Sequence, residues 1–233
     1  MHFTPLIAAA ILAATAAATP IAPAPLTGSL VTQLTIADSQ VDRLNLLPSN
    51  SDFHFDFPSN PTSPIATRKG FPALVGSGAS MAIGSFGPCS FSLPHMHPRA
   101  TELFAITAGK VHTEMIVENG PRVAGNSTSG RRVIETDVGA SQMTVFYQGS
   151  VHSQFNMGCE DAVFVAAFAS EDPGAAVVDE EVVELAAGTF LAPFGTAVEG
   201  RDVDEFKGKI SKGITEGVEK CLKVCGIQKR AVV

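Results

Sequence analysis

The chain has 233 residues, a formal net charge of −7, 45% apolar residues and 17% charged ones. That length suits one domain with terminal extensions, and the apolar content excludes a disordered chain. The acidity excludes nucleic acid as a partner, because phosphate binding needs clustered Lys and Arg, and here the basic residues are scattered apart from Arg131-Arg132 and a few lysines near the end.

Taken in chain order, residues 1–18 predict a secretory signal peptide. Leu6 to Ala18 is an unbroken small and apolar run with Ala-x-Ala cleavage options near Ala16 to Ala18. Only the α-amino group and His2 supply positive charge ahead of it. The run is short for a membrane anchor, and Thr19 and Pro20 follow at once, so the chain is expected to be extracellular with no membrane partner. Residues 19–69 read as an N-terminal arm. Leu30, Leu34, Val41 and Leu44 predict one short helix within 29–45. Asp52-Phe53-His54-Phe55-Asp56-Phe57 alternates strictly and predicts a strand with one aromatic face.

Residues 70–200 carry strand after strand, punctuated by Gly, Pro and Asn. Met81 to Phe86, Leu103 to Thr107, Val111 to Val117, Val133 to Glu135, Met143 to Phe146 and Ala162 to Ala169 are the expected examples. The pattern predicts an all-β fold, an antiparallel sandwich or barrel of jelly-roll type. Residues 201–233 form a C-terminal extension. Val203, Phe206, Ile210, Ile214, Val218 and Leu222 recur at helical spacing, and Gly208, Gly213 and Gly217 predict two short helices in place of one long one. Gly226 is placed as a helix stop. The apolar stripe would cover either the barrel's own edge or a neighbouring subunit.

The residues that carry chemistry are His95, His97, Glu102 and His152. His95 and His97 are two apart, so on a strand both imidazoles share a face. Glu102 can return on the neighbouring strand, and His152 adds a third imidazole from a separate apolar run. Imidazole suits zinc, copper, iron and nickel, and a carboxylate extends the range to manganese. Gln154 and Asn156 share strand parity with His152 and are expected to line the same cavity as outer-sphere partners. His54 and His112 are expected to point away from apolar faces. Ser150 and His152 do not make a hydrolase, since no nucleophile elbow is present. Glu180, Glu181 and Glu184 do not suggest a glycosidase, because the chain has no Trp and a single Tyr for a sugar platform.

Four cysteines in a secreted chain suggest two disulfides, with three pairings allowed. Cys89 and Cys159 flank the two histidine-bearing segments, so Cys89–Cys159 with Cys221–Cys225 is the expected set. Asn126-Ser127-Thr128 is a glycosylation sequon in a Gly/Ser-rich loop, whereas Asn60-Pro61-Thr62 is excluded by its Pro.

The run Leu93-Pro94-His95-Met96-His97-Pro98-Arg99-Ala100-Thr101-Glu102, six residues to Gly109, then Gly149-Ser150-Val151-His152 and Asn156, resembles the two-motif signature of the cupin superfamily. Phe164-Val165-Ala166-Ala167-Phe168 with Ser170-Glu171-Asp172-Pro173-Gly174 is similar to spherulin-type germin-like proteins of fungi and slime moulds. The second motif departs from the pattern at Tyr147 and Ser141. The resemblance implies a double-stranded jelly-roll barrel of cupin type 1 and a manganese ion. It also implies homo-oligomers from dimer to hexamer, and superoxide dismutase or oxalate oxidase-type activity on a small molecule. Ser92 stands where oxalate-oxidising germins carry Asn, which weighs against oxalate. The alternative it implies is a non-enzymatic extracellular metal-binding, storage or wall-associated protein.

Overall fold

A computed structural model of the protein describes residues 27–57, 64–119, 132–178, 197–207 and 210–230. The predicted signal peptide, the sequon at Asn126 and the acidic run at 180–184 lie outside the described residues.

The arm begins with two helices, α1 (Leu30–Ile36) and α2 (Gln40–Asn45), where one was expected. Ser29 and Ser39 each accept a backbone N–H of the following turn, so the chain starts a helix twice. Leu34, Leu47 and Val75 form a small core beneath them. The expected strand at 52–57 is replaced by a 3-10 turn, Asn50–Phe53. Ser49 N–H donates to Asp52 Oδ2 at 2.9 Å and Ser51 N–H to Ser49 Oγ at 3.3 Å. This local capping outweighs the alternating pattern, which pairs with no strand among the described residues. His54 is exposed, as expected.

Among the described residues, twelve strands follow: β1 (Ile65–Ala66), β2 (Ser80–Phe86), β3 (Phe91–Ser92), β4 (His95–Met96), β5 (Glu102–Ala108), β6 (Lys110–Ile116), β7 (Ile134–Gly139), β8 (Gln142–Phe146), β9 (Val151–Asn156), β10 (Ala162–Phe168), β11 (Ala176–Val177) and β12 (Ala197–Val198). One antiparallel sheet runs β1-β2-β10-β5-β8. In the second, β9 pairs with β6 on one side and with both β3 and β4 on the other; β7 extends it beyond β6, and β11 and β12 beyond β4 and β3. Alternation sets the inward faces: Glu102, Phe104 and Ile106 of β5, and Val111, Thr113 and Met115 of β6, are buried. With Phe86, Val138, Phe146 and Phe168, the apolar members fill the space between the sheets. Gly109, with φ 79°, turns β5 into β6, and a Cβ there would come within 2.8 Å of the Ala162 backbone.

The C-terminal extension holds a 3-10 helix (Gly200–Phe206) and α3 (Lys212–Cys225). Ser211 Oγ caps α3 by accepting from Ile214 N–H at 3.0 Å, and Gly226 ends it in the left-handed region. The stripe Val203, Ile210, Ile214, Val218 and Leu222 is buried with Phe91, Leu93 and Phe155 on the outer side of the second sheet. It therefore covers the barrel itself, each side chain contributing about 1.5–3 kcal/mol relative to exposure. Gly213 and Gly217 lie inside α3 and do not break it. A Cβ on Gly217 would stand 2.7 Å from the Phe155 ring, so the glycine lets the helix approach the sheet.

The disulfides correct the expected pairing. They are Cys89–Cys221 and Cys159–Cys225. Cys221 and Cys225 are one turn apart on the face of α3 that meets the sheet, so each points at a barrel cysteine and not along the helix. Both bridges thus fasten α3 to the barrel.

Candidate metal centre

β4 and β9 pair antiparallel with His95 directly opposite His152. His97 follows at the end of β4, and Glu102 opens β5 in the facing sheet, paired with Phe146 and Phe168. The four residues are between 2% and 4% exposed, and one ligand atom from each lies within 4.8 Å of all the others. His97 Nε2 is 3.0 Å and His152 Nε2 3.3 Å from Glu102 Oε2.

The ring orientations are held from behind. His95 Nδ1 is 2.8 Å from the Leu93 carbonyl, His152 Nδ1 2.9 Å from that of Ser150, and His97 Nδ1 2.6 Å from that of Gly174. A carbonyl only accepts, so each Nδ1 carries the proton and donates it. In a neutral ring that leaves Nε2 as a bare lone pair. His152 also stacks on Phe146 at 4.2 Å, and His97 packs edge-on against Phe168 at 4.7 Å.

Three lone pairs and a carboxylate therefore point at one spot. Glu102 Oε2 and His152 Nε2 are buried and have no hydrogen-bond partner. Two acceptors facing each other at 3.3 Å in a dry interior are unfavourable unless a cation lies between them. Neighbouring donors on one ion, at bond lengths of about 2.0–2.2 Å, stand roughly 3.0–3.5 Å apart, which is the spacing seen. The group fits a divalent metal ion.

Burial, and then the charge of His152, hold the His95 imidazole down to about 3 from its ordinary 6.5. Burial pushes the Glu102 carboxyl up, and only positive charge on the Nε2 side of His152 and His97 would hold it down; with Nε2 bare in both rings, a cation between the groups is what keeps the carboxylate charged. Between pH 6.5 and 3 the unfolded chain takes up the His95 proton that the fold refuses. The metal-free protein should keep its full stability above about pH 6.5 and lose it steadily toward pH 3. Thermal melts in EDTA across that range check this, and a melting temperature flat down to pH 4 would contradict it.

A cavity of about 60 Å³ opens beside the ligands, walled by Phe86, Phe104, Phe164 and Phe168, with Gln154 as its further polar member. Ser92 Oγ–H donates to Gln154 Oε1 and accepts from Gln154 N–H at 2.9 Å. Gln154 lines the cavity. Asn156 does not. It sits where β9 ends, and its Nδ2 donates to the carbonyls of Phe86, Gly87 and Glu160 at 3.0, 2.9 and 2.7 Å. Its Oδ1 accepts from Gly158 N–H at 2.8 Å, so it ties two turns together. His112 pairs with Asp137 at 2.7 Å on the outer side of β6, away from the metal ligands.

Sequence reasoning missed the loop that orients His97. Arg99 Nε donates to the Asp172 carbonyl and Nη2 to Asp172 Oδ1, both at 2.9 Å, and Arg99 N–H donates to the Pro173 carbonyl at 3.0 Å. This clamp fixes the strand-end loop whose Gly174 carbonyl receives His97. The Asp-Pro-Gly turn signal at 172–174 marks the loop in the sequence.

A two-sheeted barrel holding three imidazoles and a glutamate inside is the cupin arrangement, and this chain belongs to the cupin family: residues 61–191 match that family's model. Within it, Spherulin-1A of Physarum polycephalum is 33% identical over 206 residues, 84% of this chain and 79% of the relative. A putative germin-like protein 9-2 of Oryza sativa subsp. japonica is 35% identical over half of each chain. Among solved structures, an oxalate oxidase in complex with the substrate analogue glycolate is 22% identical with a TM-score of 0.48, covering 75% of this chain and 82% of the other.

Proposed function

We propose that the protein is a secreted, manganese-binding germin-like cupin that disproportionates superoxide. The observation that carries this is the unpartnered Glu102 Oε2 and His152 Nε2 facing one another beside a small cavity. Manganese held by His95, His97, Glu102 and His152 would supply a centre that alternately accepts and returns one electron. The net reaction consumes two superoxide ions and two protons and yields dioxygen and hydrogen peroxide. The chain's own contributions are binding, orientation and exclusion. One carboxylate against a divalent ion leaves a net positive site, which draws a small anion. The phenylalanine walls keep bulk water out. Gln154 Oε1 is taken by Ser92, which leaves the amide N–H groups to hold an anion or water in place.

Oxalate is a poorer fit. It is a dianion, and among the described residues no Lys or Arg lines the cavity. Ser92, in the place of the germin Asn, is fully buried and engaged with Gln154. A second reading, a non-enzymatic metal-binding, storage or wall-associated protein, is supported by how little of the four ligands is exposed.

The test is metal analysis of protein recovered from culture medium, followed by superoxide and oxalate assays of manganese-loaded protein. Superoxide turnover above that of free manganese is expected, and His97→Ala should lose both metal and turnover. Stoichiometric metal without turnover would favour the second reading, and no bound metal would remove both.

Secretion is supported by the two disulfides, which persist in oxidising compartments. No helix among the described residues is long and apolar enough to cross a membrane. An oligomer is supported by the outer face of the first sheet, where Met81, Ile83, Leu103 and Met143 are 41%, 36%, 45% and 57% exposed. A monomer by light scattering would reject that part of the reading.

A further inference from the structure

Four sulfur atoms meet where α3 lies on the second sheet. Cys159 is exposed and Cys225 half-buried, whereas Cys89 and Cys221 are buried. The Cys159–Cys225 bridge is therefore the outer one. Cys225 Sγ also stands 3.7 Å from Cys89 Sγ and 3.8 Å from Cys221 Sγ, although it is bonded to neither. The two disulfides are in van der Waals contact, one at the surface and one directly beneath it.

We propose that this stacked pair is a thiol–disulfide exchange site whose co-reactant is a dithiol. A thiolate of the dithiol attacks Cys159 Sγ, the accessible sulfur, forming a mixed disulfide and expelling Cys225 as thiolate. The second thiol of the reagent then displaces Cys159, so the dithiol leaves as a disulfide and two electrons have passed to the protein. The Cys225 thiolate next attacks Cys89 Sγ, forming Cys89–Cys225 and expelling Cys221; this step exchanges bonds with no net electron transfer. Attack on Cys221 instead would create a bridge between residues four apart on one helix, which is geometrically demanding. The relay moves the covalent fastening of α3 by one helical turn, from Cys221 to Cys225, and leaves free thiols at Cys159 and Cys221. The site owes nothing to the metal ligands, and neither reading depends on the other.

Dithiothreitol at one equivalent, without denaturant, tests it on the whole protein. After acid quenching and alkylation, peptide mapping should find label on Cys159 and Cys221 and a new Cys89–Cys225 link. Label confined to Cys159 and Cys225, label on Cys89 and Cys221, joint loss of both bridges, or resistance until the protein is unfolded would each overturn the proposal. In Cys225→Ser the Cys89–Cys221 bond should open at least about tenfold more slowly than in the parent, because the internal nucleophile is gone. Equal rates would overturn it as well, and should that variant not fold, the map of the parent protein decides alone.

Discussion

Glu102→Gln should weaken metal binding by at least about a hundredfold, since even outer-sphere partners of a metal ligand are worth about 10–100-fold. The same substitution should stabilise the metal-free protein. In the parent, the carboxylate faces the bare Nε2 atoms of His97 and His152 at 3.0 and 3.3 Å, acceptor against acceptor. A glutamine amide in that place carries two N–H donors and can give one to each ring. Relieving two buried unsatisfied groups is worth about 1–3 kcal/mol, or roughly 5 °C in melting temperature for a chain of this size. Metal should then raise the melting temperature of the parent and not that of the variant. Melts with EDTA and with added manganese check both signs. A metal-free variant less stable than the parent would mean that the rings are protonated on the Nε2 side and that the four groups form an ordinary buried ion network.

The opposite signs follow from a feature that was half legible in the sequence. Period-two spacing put His95 and His97 on one face, and the same periodicity placed Glu102 with Phe104 and Ile106 on the inward face of β5. The strands of the barrel were readable because each alternates between a filled interior and an outer face. What the sequence did not show is which carbonyls hold the rings, because the Gly174 carbonyl reaches His97 from 77 residues away. The disulfide pairing failed for a related reason: it depends on where α3 lands, and local spacing is silent on that. Gly217 looked like a breaker because propensity cannot register the Phe155 ring beneath it. At 52–57 the signal was present and outranked, since Ser49 and Asp52 spell a capping box that the alternating phenylalanines obscured.

Strand parity also misplaced Asn156, and the misplacement yields a test. Asn156→Ala should cost about 3 kcal/mol, at about 1 kcal/mol for each of the two amide N–H donors, shared among three carbonyls, and for the Oδ1 acceptor, and lower the melting temperature by roughly 10 °C. The loss is concentrated because all four partners are backbone groups: the Phe86 and Gly87 carbonyls on one turn, and the Glu160 carbonyl and Gly158 N–H on the other. The first turn leads to Cys89 and the second contains Cys159, so this one amide sets the spacing of the two barrel cysteines that α3 must reach. Asn156→Asp should be at least as damaging, since it keeps the acceptor for Gly158 and turns a second oxygen toward three carbonyls. Metal affinity should be unchanged in Asn156→Ala, because no bond of this side chain goes to a ligand or to the carbonyls that hold the rings. Isothermal titration of the folded variant at a temperature below its transition measures that directly. A large fall in affinity there, with the melting temperature preserved, would return Asn156 to the metal's surroundings and reverse the assignment made from its contacts.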